Sequence, residues 1–108
     1  MQRSGKVYNK NNFCGIVSET DDGYFFSYQK EYLQSKEATP ICETLPLTEN
    51  IFQNKTLFAF FDGLIPEGWL LDIAEKNWKI NQKDRMGLLL TCCKDCIGAV
   101  SVIENEEL

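Results

Sequence analysis

The chain has 108 residues, of which 44% are hydrophobic and 25% are charged, a balance that predicts one packed domain over residues 1–108. Sixteen acidic and eleven basic residues give a formal net charge of -5, which argues against direct nucleic-acid binding, because contact with phosphates depends on clustered Lys and Arg. No apolar run approaches the roughly 18 residues of a membrane span, and the N-terminus lacks a signal-peptide core, so we expect a cytoplasmic protein without a membrane partner.

The first part of the chain predicts antiparallel strands. Segments Lys6–Tyr8 and Phe13–Glu19 flank the polar stretch "NKNN", and the turn signal Asp22-Gly23 leads into Tyr24–Tyr28. In this third segment the aromatic residues at alternate positions share one face. That face requires a cover, which helices from the second half can supply.

The middle of the chain changes its pattern twice. Residues Gln29–Gln34 are compatible with a short helix, and Pro40 and Pro46 favour extended chain in "ATPICETLPL" because they remove backbone donors. The segment Phe52–Phe61 has a spacing compatible with a helix, although its "LFAFF" also fits a buried strand. Both interpretations of this segment stay open at the level of sequence.

The last third predicts two helices and a strand. Pro66–Trp78 begins with a proline suited to a first helical turn, and Asn81 is a suitable N-cap for the helix that contains "DRMGLLLTCC". Ile97–Ile103 is apolar on both faces, which predicts an interior strand. The predicted fold is α+β, with a small antiparallel sheet of about five strands, open or barrel-like, and about three helices packed against it.

The sequence offers little support for catalysis. The chain has no histidine, which removes the commonest general base and metal ligand. It also has no glycine-rich phosphate-binding loop, and its paired carboxylates lie in a predicted turn and in the acidic tail, where solvation explains them. We therefore predict that the protein is not an enzyme, with no catalytic residue and no cofactor.

The cysteines raise the question of a metal or redox site. Five cysteines, an odd number, are expected to be reduced thiols: Cys14, Cys42, Cys92, Cys93 and Cys96. Cys93 and Cys96 have C-x-x-C spacing, but a closed zinc site needs four ligands, usually from two such pairs. The favoured interpretation is that Cys92 and Cys93 end a core helix as small apolar residues, and no metal site is predicted.

The segment "GLIPEGW" is the main candidate for binding a partner. Apolar side chains in a loop or at a helix start need something to pack against. Trp69 lies at the margin of the predicted apolar arc and next to Gly68, so it either caps the core or anchors an interface. The candidate partner-binding residues are Gly63, Leu64, Ile65, Pro66, Glu67, Gly68 and Trp69.

Three motifs in the same order carry a family resemblance. They are "TPICETLPL" (Thr39–Leu47), "LFAFFDGLIPEG" (Leu57–Gly68) and "KDCIGAVSV" (Lys94–Val102). Together they resemble the N-terminal subdomain of HipA-type serine/threonine toxin kinases. The kinase core of that family has no counterpart in these 108 residues, so no kinase residue is carried over.

A stand-alone copy of this subdomain resembles HipS, the small component of split HipBST toxin–antitoxin systems. The resemblance implies a non-catalytic antitoxin that binds and neutralises a separately encoded HipA-like (HipT-like) kinase toxin, with "GLIPEGW" docking near its catalytic cleft. A HipB-like DNA-binding protein would be an indirect partner. The alternative is a structural subunit that completes the kinase fold or the repressor complex in trans. A third hypothesis is a metal- or redox-responsive module built on Cys92, Cys93 and Cys96.

Overall fold

The central element of the fold is a five-stranded antiparallel sheet. The computed structural model describes residues 3–65, 84–92 and 100–105. Within them the elements follow in the order β1 (Arg3–Asn9), β2 (Asn12–Thr20), β3 (Gly23–Tyr28), α1 (Lys30–Leu33), β4 (Phe52–Asn54), α2 (Ala59–Asp62), α3 (Arg85–Cys92) and β5 (Val100–Glu104). The predicted α+β class is confirmed.

The sheet is open. Its strands lie in the order β4-β3-β2-β1-β5, and each neighbouring pair is antiparallel. β4 and β5 occupy opposite edges, so the barrel-like form of the predicted sheet is wrong. The physical reason is that β4 is only three residues long and pairs with β3 alone among the described strands.

Two hairpins join the first three strands, as the turn signals predict. Lys10 and Asn11 form the first turn with φ angles of 52° and 70°, the left-handed pair that a two-residue hairpin loop needs. In the second hairpin Gly23 has a φ of 123° and pairs with Thr20. Only glycine adopts that conformation at little cost.

The core lies between the sheet and the helices. One face of the sheet packs on the helical layer, so residues at alternate strand positions are buried. The largest fully buried side chains come from both layers: Val7, Val17, Phe26 and Val102 from the strands, and Phe61, Met86, Leu88 and Leu89 from the helices. The face of β3 that was predicted to need a cover is the face that carries Phe26 and Tyr28, which are both buried.

The segment between α1 and β4 is held to the core by the hydroxyl group of Tyr28. This hydroxyl donates a hydrogen bond to the carbonyl oxygen of Leu45 and accepts one from the backbone N–H of Ile41 at 3.1 Å. Burial raises the pKa of Tyr28 to about 12. The prediction of extended chain does not hold throughout this segment, because a turn brings the N–H of Leu45 to within 3.3 Å of the carbonyl oxygen of Cys42. The segment is tied to the sheet by the Tyr28 side chain.

The segment Phe52–Phe61 contains both a strand and a helix. Phe52–Asn54 pairs with β3 as β4, and α2 begins only at Ala59, after Phe58 with a φ of -54° and a ψ of 137°. Neither of the two open interpretations describes the whole segment, because pairing with the edge of β3 stabilises its first residues as a strand and the helix forms only after them.

The C-terminal strand lies at a sheet edge. β5 pairs with β1 alone among the described strands, and Ile103 is 42% exposed, so the predicted interior position is wrong. Residues 97–99, the predicted helix Pro66–Trp78 and the predicted cap Asn81 lie outside the described residues. In the described ranges, no helix is long and apolar enough to cross a bilayer.

Candidate partner-binding surface

The short helix α2 presents the beginning of the predicted partner-binding segment. Phe61 is fully buried, and its ring lies 5.5 Å from that of Phe26, centroid to centroid. Ala59 on the same helix is exposed. One face of α2 is therefore fixed to the sheet by an aromatic anchor while the other faces outward.

The chain leaves α2 through a hydrogen-bonded turn. The N–H of Gly63 donates to the carbonyl of Ala59 at 2.9 Å, and the N–H of Leu64 donates to that of Phe61 at 3.0 Å. Gly63 has a φ of -70°, which every residue type adopts. This glycine therefore supplies an exposed position without bulk, rather than a special backbone conformation.

The predicted partner-binding residues divide into three groups. Gly63 is exposed and Leu64 is partly buried against the core, whereas Ile65 is only 7% exposed and belongs to the core. Ile65 is therefore placed for packing within the domain, and of the described members Gly63 and Leu64 are accessible to a partner. Pro66, Glu67, Gly68 and Trp69 lie outside the described residues, and their assignment stays a prediction.

An ion pair between Asp62 and Arg85 connects the end of α2 with the start of α3. The Nε atom of Arg85, the first residue of α3, donates to Oδ1 of Asp62 at 2.5 Å. The two side chains are 39% and 44% exposed. They border a depression of about 450 Å³ whose other lining residues are Asn54, Thr56, Leu57 and Ala59. The α2 surface, defined as Ala59, Asp62, Gly63, Leu64 and Arg85, thus combines small, apolar and oppositely charged groups.

Sequence reasoning missed Ala59, Asp62 and Arg85 as members of this surface. Asp62 and Arg85 are 23 positions apart and belong to different helices. Nothing in the spacing of a single sequence links them, and an alanine in a helix carries no signal of exposure. The one sequence signal that could have pointed to this surface is the position of Arg85 next to a predicted helix start.

A second charged cluster fixes the start of α3. The guanidinium of Arg3 donates to both carboxylate oxygens of Asp84 at 2.7 Å and to Oε1 of Glu19 from Nε at 2.8 Å. Asp84 also accepts the backbone N–H of Gly87 at 3.1 Å, which caps the helix. The hydrogen bond from Arg3 holds the pKa of Asp84 below its usual range.

Glu19 connects this cluster to the third strand. Its Oε2 atom accepts a hydrogen bond from the hydroxyl of Tyr24 at 2.8 Å. Burial, with a further contribution from Glu19, raises the pKa of Tyr24 to about 12. The cluster therefore links β1, β2 and β3 to the start of α3, at the residue before Arg85.

The described thiols have no neighbours suited to chemistry. Cys14 is fully buried on β2, and burial raises the pKa of its thiol to about 12, which suppresses the nucleophilic thiolate. Cys42 is partly buried and contacts Thr44 at 3.3 Å. Within the described residues no three metal-ligating side chains cluster, while Cys93, Cys96 and the side chain of Cys92 lie outside the description.

Comparison with known proteins places this geometry in context. The family model described as "HipA N-terminal domain" matches residues 5–103. An uncharacterized protein of Haemophilus influenzae (strain Rd) is 32% identical over 105 residues, which cover 97% of this chain and 95% of that protein. A solved structure of the N-terminal domain of HipA toxin matches with a TM-score of 0.74 and 30% identity, covering 98% of this chain and 95% of that one.

Proposed function

The chain belongs to the HipA N-terminal domain family, and from this premise we propose that it is an antitoxin that binds and neutralises a separately encoded HipA-like serine/threonine kinase. In this proposal the protein has no catalytic activity of its own. It acts by occupying a surface of the kinase. A HipB-like DNA-binding protein joins the assembly through the kinase and not through this chain.

The observation that carries the proposal is the extent of the match with a domain of a toxin. The match covers 98% of this chain and 95% of the HipA domain, so the likeness extends over a whole domain. A domain within a larger toxin packs against the rest of its chain through its own surface. A protein with the same fold is suited to pack on a kinase in a similar way, and in this proposal that contact holds the kinase in an inactive state.

The α2 surface supports this proposal on physical grounds. Interface anchors work best when rigid elements present them, and α2 is fixed by the buried ring of Phe61 and by the ion pair between Asp62 and Arg85. Exposed Ala59 and Gly63 leave room for a partner's side chains. The sequence-predicted anchor, Trp69, follows six residues after Gly63.

The charge of the chain is compatible with such a partner. Its net charge is -5, and a kinase must attract the anionic phosphates of its nucleotide. Opposite potentials increase the rate of encounter between two proteins. This effect increases the rate of association and adds less to the affinity.

The test uses the HipA-like kinase that this proposal expects to be encoded beside the gene. Autophosphorylation and substrate phosphorylation are measured with and without an equimolar amount of the purified protein. We expect suppression by the wild-type protein, and we expect Ala59→Arg to weaken it because a long charged side chain would occupy the α2 surface. Gln34→Arg, the same gain of charge at an exposed position after α1, is the matched control and should inhibit like the wild type.

A second variant examines the residue predicted from sequence. Trp69→Ala should abolish inhibition while the protein stays folded by circular dichroism, since removing an anchoring tryptophan commonly costs about 2 kcal/mol, or roughly 30-fold in affinity. An unfolded Trp69→Ala protein would mean that the indole caps the core. Unchanged or increased kinase activity with the wild-type protein would refute inhibition and support a structural subunit.

A further inference from the structure

The sheet face that points away from the helices carries large apolar side chains. Strand residues alternate between the two faces, and Val7, Val17, Phe26 and Val102 on the helical side are fully buried. The opposite face, here called the outer face, carries the intervening residues. Its large side chains are Tyr8, Phe13, Ile16, Phe25 and Ile103. The outer face of an antiparallel sheet is normally polar when water covers it.

The strand register makes this outer face continuous. Lys6 pairs with Ile103 on one side and with Ile16 on the other, so these three side chains form one row across β5, β1 and β2. Tyr8 and Phe13 form the next row, with ring centroids 5.5 Å apart. The apolar groups therefore form one patch, and Phe13 and Ile103 are 37% and 42% exposed.

The outer face carries one charge on its described strands. The Nζ atom of Lys6 lies 6.0 Å from the centroid of the Phe13 ring, a cation–π geometry. The remaining small positions on these strands carry hydroxyl side chains: Ser4, Ser18, Thr20, Ser27 and Ser101. A chain with a net charge of -5 thus keeps the carboxylates of its described strands away from this face.

The charge and the area of the outer face favour a different protein over a second copy of this chain as the partner that covers it. A second copy of the chain would bring two Lys6 ammonium groups to one interface and supply no carboxylate from the same face. The patch spans four strands about 4.8 Å apart and about five residues along each, roughly 300 Å². A stable interface needs about 800 Å² from each partner. The outer face therefore fits one part of a larger contact with a different protein.

We propose that the outer face is a second docking surface for the HipA-like kinase, and that it meets an apolar patch of the kinase carrying a carboxylate opposite Lys6. This inference rests on the proposed function. The outer face and the α2 surface approach each other at the β4 edge of the sheet. Gln53 pairs with Phe25 of the outer face, and Asn54 lines the depression next to Ala59.

The experiment measures the dissociation constant of the purified kinase for variants of the intact protein. Lys6→Glu replaces attraction by repulsion and should weaken binding at least about tenfold. Ile16→Thr and Phe25→Thr remove apolar area while keeping side chains suited to a strand, and each should weaken binding about tenfold. Lys36→Glu makes the same charge reversal at an exposed position outside the sheet and should bind like the wild type.

Melting curves of each variant separate lost contact from lost folding. Wild-type affinity in Lys6→Glu, Ile16→Thr and Phe25→Thr would overturn the inference. If Ala59→Arg still weakened binding in that case, the proposed function would be retained and only the docking role of the outer face would be rejected. A wild-type dimer in sedimentation that Ile16→Thr dissociates would instead assign the outer face to a second copy, and a kinase that does not bind the wild-type protein would overturn both proposals.

Discussion

Replacing Arg3 by glutamine should destabilise the protein far more than a typical surface substitution. The guanidinium makes a bidentate contact with Asp84 at 2.7 Å and a second contact with Glu19. Hydrogen bonds to charged groups contribute roughly 1.5–3 kcal/mol. The side chains of Arg3, Asp84 and Glu19 are 28%, 34% and 20% exposed, so solvent screening reduces this figure. We expect a loss of about 2 kcal/mol in the free energy of unfolding.

The pH dependence of this loss follows from Asp84. Its pKa is lowered in the folded protein because Arg3 donates to it. A carboxylate with a lowered pKa stabilises the fold above its unfolded-state pKa, about 4, and that contribution is lost as the pH falls through the folded value. The difference between wild type and Arg3→Gln should therefore be complete at neutral pH and shrink below about pH 4.

Urea unfolding followed by circular dichroism measures this difference at each pH. For a domain near this size, about 2 kcal/mol corresponds to a fall of roughly 10 °C in the melting temperature. Arg85→Gln is the matched control, because its ion pair with Asp62 is 39% and 44% exposed and should contribute at most about 1 kcal/mol. Equal losses in Arg3→Gln and Arg85→Gln, or a loss from Arg3→Gln that stays constant from pH 7 to pH 3.5, would refute the reasoning.

Two further predictions concern glycines and thiols. Gly15→Ala should lower the free energy of unfolding by about 1–3 kcal/mol, because the added Cβ atom would meet the backbone oxygen of Ser27. Gly63→Ala should leave the free energy of unfolding nearly unchanged, since the φ of Gly63 is -70°. Equal melting temperatures for the two variants would contradict this prediction. Iodoacetamide at pH 8 should modify the partly buried Cys42 and leave Cys14 unmodified in the folded protein, because burial raises the pKa of Cys14 to about 12. Mass spectrometry of digested samples measures the labelling of both thiols. Labelling of Cys14 as fast as in urea would contradict this prediction and show that β2 opens readily.

The hairpins and the core face of β3 could be predicted because their signals are local. The Asp22-Gly23 signal acts over a few residues: the turn itself is formed by Asp21 and Asp22, and Gly23, the first residue of β3, has the positive φ that the signal predicts. Alternation along Tyr24–Tyr28 depends only on strand geometry. Both signals lie within a few residues of the feature they predict, so no knowledge of distant contacts is required.

The local sequence pattern predicted only some features of the partner-binding segment. Its flanking glycines and proline mark a turn or a helix start, and the described turn at Gly63 agrees with that reading. The burial of Ile65 did not follow from sequence, because an isoleucine after a turn is equally suited to the core and to a partner. Which of the two it contacts depends on where α2 is packed.

The sequence by itself determined the α+β class, the first two hairpins and the family, because these depend on residue type, short-range periodicity and motif order. The tertiary structure alone decided that the sheet is open, that β5 is an edge strand and that Arg85 pairs with Asp62. Such features depend on which of several distant segments pairs with a given sheet edge and which of several charged side chains lies near a given partner. That choice is settled by packing over the whole domain, and a single sequence does not record its outcome.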